Sequence, residues 1–322
     1  MTQKINGKRW LTLGICMAML LSILCLTGCG KHSQDSVETL AEKTAKVLMK
    51  EVAPEEADWV AFGLGRWEDP VSEDWINAYY HDVQARAAAC KGVFHERKYT
   101  ENAKVILALT AIGKDPTDVG GYNLLVPFAD FDQTVLQGIN GAVYGLLALD
   151  SGCYEIPENV AGPTQATREM YVDYILKAQL PSGGWALSGD TAEVDLTAMV
   201  LQALSKYRAQ ESVDKAITQS LTFLSESQNA DGGFTYFGAQ TCESVVQTMV
   251  ALTELGISLE DPRFVKNENT LLDALLRFRQ KDGTFSHFPD GKTDMIATEQ
   301  AFYALVAAER LAQGETALYC MK

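Results

Sequence analysis

Apolar residues along this chain recur at the three-to-four spacing of helices, in alternating segments of two kinds. One kind is amphipathic with a broad polar face and lies at about 36–51, 73–90, 121–130, 165–178, 213–227 and 268–279. The other is rich in Ala and Leu and apolar around most of its circumference, at about 56–66, 100–112, 138–150, 193–207, 243–255 and 296–310. An all-round apolar helix belongs inside a fold and an amphipathic one on its outside. Six of each in alternation predict an all-α closed ring of helical hairpins, an (α/α)6 arrangement, and no strand pattern competes with it.

Three connections between the two kinds share one motif: Gln179-Leu-Pro-Ser-Gly-Gly-Trp185, Gln228-Asn-Ala-Asp-Gly-Gly-Phe234 and Gln280-Lys-Asp-Gly-Thr-Phe285, with glutamines 49 and 52 residues apart. A recurrence of that length marks a repeated supersecondary unit. Gly183, Gly232 and Gly283 supply a turn that a side chain would block, and Trp185, Phe234 and Phe285 can pack beneath it. Weaker copies stand at Gly92-Val93-Phe94 and Gly120-Gly121-Tyr122. These Gly-aromatic turns between paired helices resemble the QW repeats of the squalene cyclase and protein prenyltransferase superfamily, the α/α toroids. The inner-helix starts at Ile139-Asn140-Gly141-Ala142, Glu193-Val194-Asp195-Leu196-Thr197-Ala198-Met199 and Ala297-Thr298-Glu299-Gln300-Ala301 add to the resemblance, which spans roughly residues 55–310. It implies a toroid domain over 36–310, with a tether and first outer helix at 29–54 and a C-terminal tail at 311–322. It implies little about activity, because the same fold serves cyclases, prenyltransferases, cobalamin carriers and non-enzymatic surface proteins.

Five inner segments carry an Ala-Leu pair, at 108–109, 148–149, 203–204, 251–252 and 304–305, which sets them in register. Eight residues before each alanine stand Thr100, Asn140, Asp195, Glu243 and Ile296; four before stand Lys104, Tyr144, Met199, Gln247 and Gln300. Both levels fall near one helical face. The pattern predicts an apolar barrel whose polar mouth, at the inner-helix N-termini, gathers Asn140, Asp195, Thr197, Glu243, Gln247 and Gln300. Two readings of that ring stay open: a concave ligand site, or N-caps and first-turn acids that serve only the helix ends.

Resemblance to particular enzymes can be tested residue by residue. Class II terpene cyclases carry Asp-x-Asp-Asp-Thr-Ala at an inner-helix start, and the similar stretch here is Glu193-Val194-Asp195-Leu196-Thr197-Ala198. Asp195 falls on the proton donor's position, but Leu196 replaces the last carboxylate that helps to make such an acid strong. Protein prenyltransferases hold zinc through Asp-x-Cys-x-Ser and a later Asp-x-x-His-Thr; the matching segments are Gln240-Thr241-Cys242-Glu243-Ser244 and Asp294-Met295-Ile296-Ala297-Thr298, where only Cys242 survives as a ligand. No metal site is expected. Asp195-Leu196-Thr197-Ala198-Met199 loosely resembles the Asp-Thr-x-Ala-Met segment of cobalamin carriers, which makes a corrinoid the one specific ligand the family suggests, although no β-rich pattern follows residue 310 to close over it. The histidines, His32, His81, His95 and His287, form no i, i+4 metal pair and no hydrolytic triad.

The N-terminus adds an address. Lys4, Lys8 and Arg9 precede an apolar run from Leu11 to Leu26 that ends in Leu26-Thr27-Gly28-Cys29. This resembles a bacterial lipoprotein signal, with residues 1–28 removed and Cys29 carrying the lipid. Loss of three basic residues moves the formal charge from -15 to -18, which disfavours nucleic acid and anionic lipid head groups as partners of the body. The remaining cysteines, 90, 153, 242 and 320, are widely spaced and without CxxC; they can pair or stay free, and free, buried thiols are the expectation. The sequence therefore reads as a lipid-anchored extracytoplasmic toroid that binds a ligand or partner; a cyclase using Asp195 as acid and a purely structural scaffold are the alternatives. Cys29→Ala is expected to abolish incorporation of labelled palmitate and to move the protein from the membrane fraction to the soluble fraction.

Overall fold

The computed structural model describes residues 36–160, 162–236 and 238–322; the leader segment, Cys29 and His32 lie outside the described residues. Among these, the chain forms twelve α-helices. The outer series is α1 (Val37–Glu51), α3 (Glu73–Cys90), α5 (Phe131–Thr134), α7 (Arg168–Lys177), α9 (Glu211–Ser227) and α11 (Leu271–Leu276). The inner series is α2 (Asp58–Arg66), α4 (Tyr99–Ala111), α6 (Ile139–Ser151), α8 (Val194–Leu204), α10 (Cys242–Glu254) and α12 (Met295–Gln313). Each inner helix packs on the next, α2 on α4, α4 on α6, α6 on α8, α8 on α10 and α10 on α12, and α12 returns to α2. The inner helices thus form a closed (α/α)6 ring. Their burial agrees with their composition: in α8 and α10 nearly every residue is buried, whereas α1 and α9 bury one stripe.

Local chemistry sets the helix starts. Ser36, Ser72, Thr167, Thr241, Thr270 and Asp294 each accept a backbone N–H of the first turn, and Thr270 with Asp273 completes a reciprocal capping box. One outer helix departs from expectation. The segment 121–130 is not helical: Gly120 and Gly121 take positive φ (61° and 88°), Val119 and Tyr122 form an isolated bridge, and a 3-10 turn over Val126–Ala129 follows. The helix starts only where Asp130 caps Gln133 N, and it lasts four residues. The Gly120-Gly121-Tyr122 copy lies on an inner-to-outer connection, unlike the other copies, whereas Gly92 follows outer helix α3 as the repeat requires. A two-stranded hairpin, Thr235–Tyr236 with Ala239–Gln240, interrupts the otherwise helical chain after the second turn motif.

The three strong turns are built alike. Leu180 N donates to Gly184 O (2.9 Å), Asn229 N to Gly233 O (2.8 Å) and Gln280 N to Thr284 O (2.7 Å). This alignment places Arg279, not Gln280, opposite Gln179 and Gln228; the third copy is shifted by one residue, and Gln280 Nε2 donates to Phe278 O and Ser286 Oγ instead. Gln179 Nε2 donates to Gly183 O (2.9 Å) and Gln228 Nε2 to Gly232 O (2.8 Å), while Trp185, Phe234 and Phe285 are fully enclosed beneath. The first and third turns are then fastened to the next outer helix by a hydroxyl. Ser220 Oγ on α9 lies 2.7 Å from Gly183 O and 2.8 Å from Ala216 O; Thr44 Oγ1 on α1 lies 3.0 Å from Gly283 O and 2.9 Å from Leu40 O. Thr44 repeats the role of Ser220, so the first helix of the domain serves as the outer helix of the last repeat.

Beyond α12 the chain turns at Gly314 (φ 72°) and packs back over the C-terminal ends of the inner helices. Arg66 donates to the carbonyls of Ala317, Leu318 and Cys320, and Arg310 to those of Arg66 and Thr316. Leu318 and Tyr319 are buried, so this segment stoppers one end of the barrel. Among the described residues the four cysteines are free, but Cys153 and Cys320 are exposed, Cys90 is half-buried and Cys242 is buried, because Cys153 and Cys320 stand in loops beyond the helix ends. Gly232 combines φ +83° with a notional Cβ position 2.7 Å from Thr270 O, so Gly232→Ala should lose about 2–4 kcal/mol in chemical denaturation. Gly113→Ala, at φ +73° with open space around it, should lose only about 1 kcal/mol.

Candidate functional site

Asn140, Asp195 and Glu243 are the second residues of α6, α8 and α10, and Tyr144, Met199, Gln247 and Gln300 are the sixth residues of α6, α8, α10 and α12. Contacts join equivalent levels: Tyr144 OH lies 3.3 Å from Met199 Sδ, and Gln247 Nε2 lies 2.9 Å from Gln300 Oε1. The inner helices therefore run parallel with their N-termini at one end, and Asn140, Asp195, Glu243 and Gln300 stand at that end together.

The two levels differ in what they leave available. At the lower level the polar groups are bonded to one another: Gln202 Nε2 donates to Gln247 Oε1 (2.9 Å), and Gln247 Nε2 also donates to Tyr303 OH (2.7 Å). Trp59, the second residue of α2, lies across this layer, with its ring centroid 6.1 Å from that of Tyr144 and 5.9 Å from that of Tyr303. Phe62 continues the cluster to Tyr303 and stacks on Tyr319 from the C-terminal segment. Aromatic edges at these separations are in attractive contact. Tyr144 and Tyr303 are consequently held far from ionisation by burial. The lumen under the mouth is a floor of packed side chains.

Above the floor, Asp195 Oδ1 accepts Leu196 N (2.9 Å), Glu243 Oε2 pairs with His287 Nδ1 (2.8 Å), and the Asn140 Oδ1 atom is buried without a partner. Burial pushes the Glu243 carboxyl upward, opposed by the His287 ring. Thr197 is not at the mouth: it is fully buried below the first turn, where its Oγ1 accepts Trp185 N (2.9 Å). Thr298 does the same for Phe285 N (2.9 Å) in the third repeat. On the opposite arc Asp58, the first residue of α2, accepts from Tyr79 OH (2.8 Å) and Arg86 Nη2 (2.8 Å) and lies 3.5 Å from Lys104 Nζ. Glu299 beside this cluster is buried, and desolvation raises its carboxyl to about 8 against the pull of Lys104. Large apolar side chains edge the mouth in the open: Leu187 (59% exposed), Phe288 (47%) and Ile296 (62%).

Trp59 and His287 are the members of this site that registration by Ala-Leu pairs misses. Helix α2 has no such pair, and His287 meets Glu243 across 44 residues of chain. The positions that resemble a zinc site have other work. Gln240 bonds Asp231 and Arg277, Cys242 is buried with its thiol pushed well upward by desolvation, and Asp294 caps α12. Among the described residues no group of three or more His, Cys, Asp or Glu is disposed to hold a metal ion.

A closed ring of parallel inner helices, Gly-aromatic turns and a polar mouth define an α/α toroid. The chain matches the prenyltransferase alpha-alpha toroid domain family over residues 142–241 and again over 200–317, together more than half its length, and it belongs to that family. Protostadienol synthase A of Arthroderma gypseum is 32% identical over 89 residues, a match that covers 28% of this chain and only 12% of that protein. The crystal structure of a protein from Actinoplanes superposes with a TM-score of 0.53 at 13% identity over 86% of this chain and 100% of that one, a likeness of fold.

Two buried carboxyls make stability depend on pH. Burial raises Glu299 to about 8 and Glu254, at the far end of α10, to about 7, both from an ordinary 4.5. Because the folded-state values lie above the unfolded ones, this contribution is complete below pH 4.5 and is lost as pH rises towards 8. Unfolding free energy should therefore fall by a few kcal/mol between about pH 5 and 8.5. Glu299→Gln and Glu254→Gln should each remove part of that slope in urea titrations across the range.

Proposed function

We propose that this protein is a lipid-anchored, extracytoplasmic, non-catalytic toroid whose mouth docks a partner presenting apolar side chains among cationic ones. The floor beneath the mouth carries this reading. Trp59, Tyr144 and Tyr303 are in contact across the barrel axis, and the Gln202–Gln247–Gln300 chain is internally bonded, so the space a cyclase gives to a polyprene is occupied by the protein itself. What faces outward is a shallow dish with Asp195 and the Glu243–His287 pair inside and Leu187, Phe288 and Ile296 at its edge. Exposed apolar groups beside the Asp195 carboxylate, which accepts only its neighbour's backbone N–H, favour a surface that is apolar and basic. Anchoring through Cys29 rests on the resemblance of residues 1–29 to a lipoprotein signal, and it would place the dish outside the cytoplasm.

Neither a cyclase nor a corrinoid carrier is favoured by this arrangement. Asp195 occupies a proton donor's place, but it bonds its own neighbour's N–H and opens on a filled lumen. In the stretch that loosely resembles the carriers' segment, Thr197 is spent beneath Trp185 and does not reach the mouth.

Calorimetric titration of the full chain with an amphipathic Lys/Leu helical peptide is expected to show saturable binding that weakens with salt, whereas the Glu/Leu counterpart should not bind. Phe288→Ser/Ile296→Ser should weaken binding about tenfold while leaving the fold intact. Squalene should be returned unchanged; a cyclised product that disappears in Asp195→Asn would replace this reading with the enzymatic one.

A further inference from the structure

A groove of about 270 Å³ lies at the stoppered end of the ring, where α2 and α4 end and the chain turns into α3. Its floor is backbone: a Cβ on Gly65 would stand 2.4 Å from the Ala111 carbonyl carbon, so α2 and α4 meet there main chain to main chain. Leu64, Trp67, Val71, Ile76 and Ile112 make its apolar walls, and all but Leu64 are only half-buried. The edge of the Phe302 ring braces Trp67 from the core side, with centroids 5.9 Å apart.

The charge around this groove is of one sign. Glu68 and Asp69 belong to its lining and are exposed, and no basic residue lines it. Glu38 of α1 and Glu309 of α12 stand close by: burial, and then repulsion from Glu38, Glu68 and Asp69, hold the Glu309 carboxyl above its ordinary range. Among the described residues none of these four carboxylates forms an ion pair, and Glu309 Oε2 has no hydrogen-bond partner. The neighbouring cations are turned elsewhere: Arg66 onto carbonyls of the C-terminal segment, Arg310 onto Glu315 (2.9 Å) and Arg66 O, and Lys114 onto the ring of Tyr80 (5.0 Å). An apolar trough is thus bordered by acid that the fold itself does not neutralise.

We propose that this groove is a second docking surface, at the opposite end from the mouth, which takes an extended polypeptide segment of a partner whose aliphatic side chains are flanked by lysine or arginine. The aliphatic groups lie against Trp67 and Ile76, and the cations meet Glu68 and Asp69. A groove of this size holds only a short segment, so the contact is small and transient. A second copy of this chain, with its formal charge of -15, and an anionic lipid surface are both repelled by the same acids.

Ligand-observed NMR of the full chain with the peptide acetyl-Lys-Leu-Pro-Leu-Lys-amide tests it; the proline keeps this probe out of the helical form offered to the mouth. Saturable binding is expected, with the Glu-Leu-Pro-Leu-Glu and Lys-Ser-Pro-Ser-Lys counterparts each at least about tenfold weaker. Glu68→Gln/Asp69→Asn, at two exposed positions, should weaken the peptide about fivefold, the worth of two exposed ion pairs, whereas Phe288→Ser/Ile296→Ser should leave it unchanged. Absence of saturable binding, equal binding of either counterpart, or a loss in the mouth variant as large as in the groove variant would overturn the proposal. So would a dimer of the chain that Glu68→Gln/Asp69→Asn disrupts, since it gives the groove to a second copy. None of these outcomes depends on what the mouth binds.

Discussion

Everything in this fold depends on sealing a ring, and the seal is a hydroxyl held against a glycine carbonyl. A row of helical hairpins that stays open would leave the apolar flank of α12 in water, and Ala, Leu and Val dominate that flank. The chain instead brings α1 onto α12, and Thr44 fastens it to Gly283 as Ser220 fastens α9 to Gly183. Glycine is required at these joints for two reasons: the notional Cβ of Gly183 stands 2.8 Å from Gln219 O and that of Gly232 2.7 Å from Thr270 O, whereas Gly283, where a Cβ would have room, takes φ +93°. In the first two copies the glutamine holds the turn from inside, and in all three the aromatic fills the space below and the glycine admits the next helix. One local device, repeated, converts sequential hairpins into a closed wall.

Closure also decides where chemistry can happen. Parallel inner helices collect six N-termini at one end and six C-termini at the other, so the first-turn residues form one ring and the last-turn residues another. At the N-terminal end four of the six second residues, Thr100, Asn140, Asp195 and Glu243, are polar, while the level beneath is bonded to itself or packed by rings. The C-terminal end is stoppered by Leu318 and Tyr319, held by two arginines that give their protons to carbonyls. Buried Glu254 and Glu299 sit near opposite ends of this column, each raised by desolvation and moderated by a neighbouring cation. Between these two ends the column is crossed by the rings of Trp59, Tyr144 and Tyr303.

The alternation of apolar and amphipathic helices was legible because the inner helices are buried on all sides and the outer ones on a single stripe, a distinction hydrophobic patterning reports directly. Registration on the Ala-Leu pairs aligned Tyr144, Met199, Gln247 and Gln300 because the pair recurs, buried, at one level of five of the six inner helices. The same patterning failed at 121–130, where Tyr122, Leu124 and Leu125 pack as a loop after a two-glycine turn. Burial there is apolar without being helical, and periodicity alone does not separate the two.

The sequence alone determined the repeat, the inner and outer assignment and the end at which polar residues collect, since each follows from properties local to one hairpin. Tertiary structure decided the rest. It turned Thr197 from a mouth residue into a partner of Trp185, moved the third motif by one residue so that Arg279 stands in the glutamine's place, and brought Trp59, His287 and Tyr319 to positions no spacing encodes. The contacts of Trp59, His287 and Tyr319 join residues tens to hundreds of positions apart, and their geometry exists only once the ring has closed.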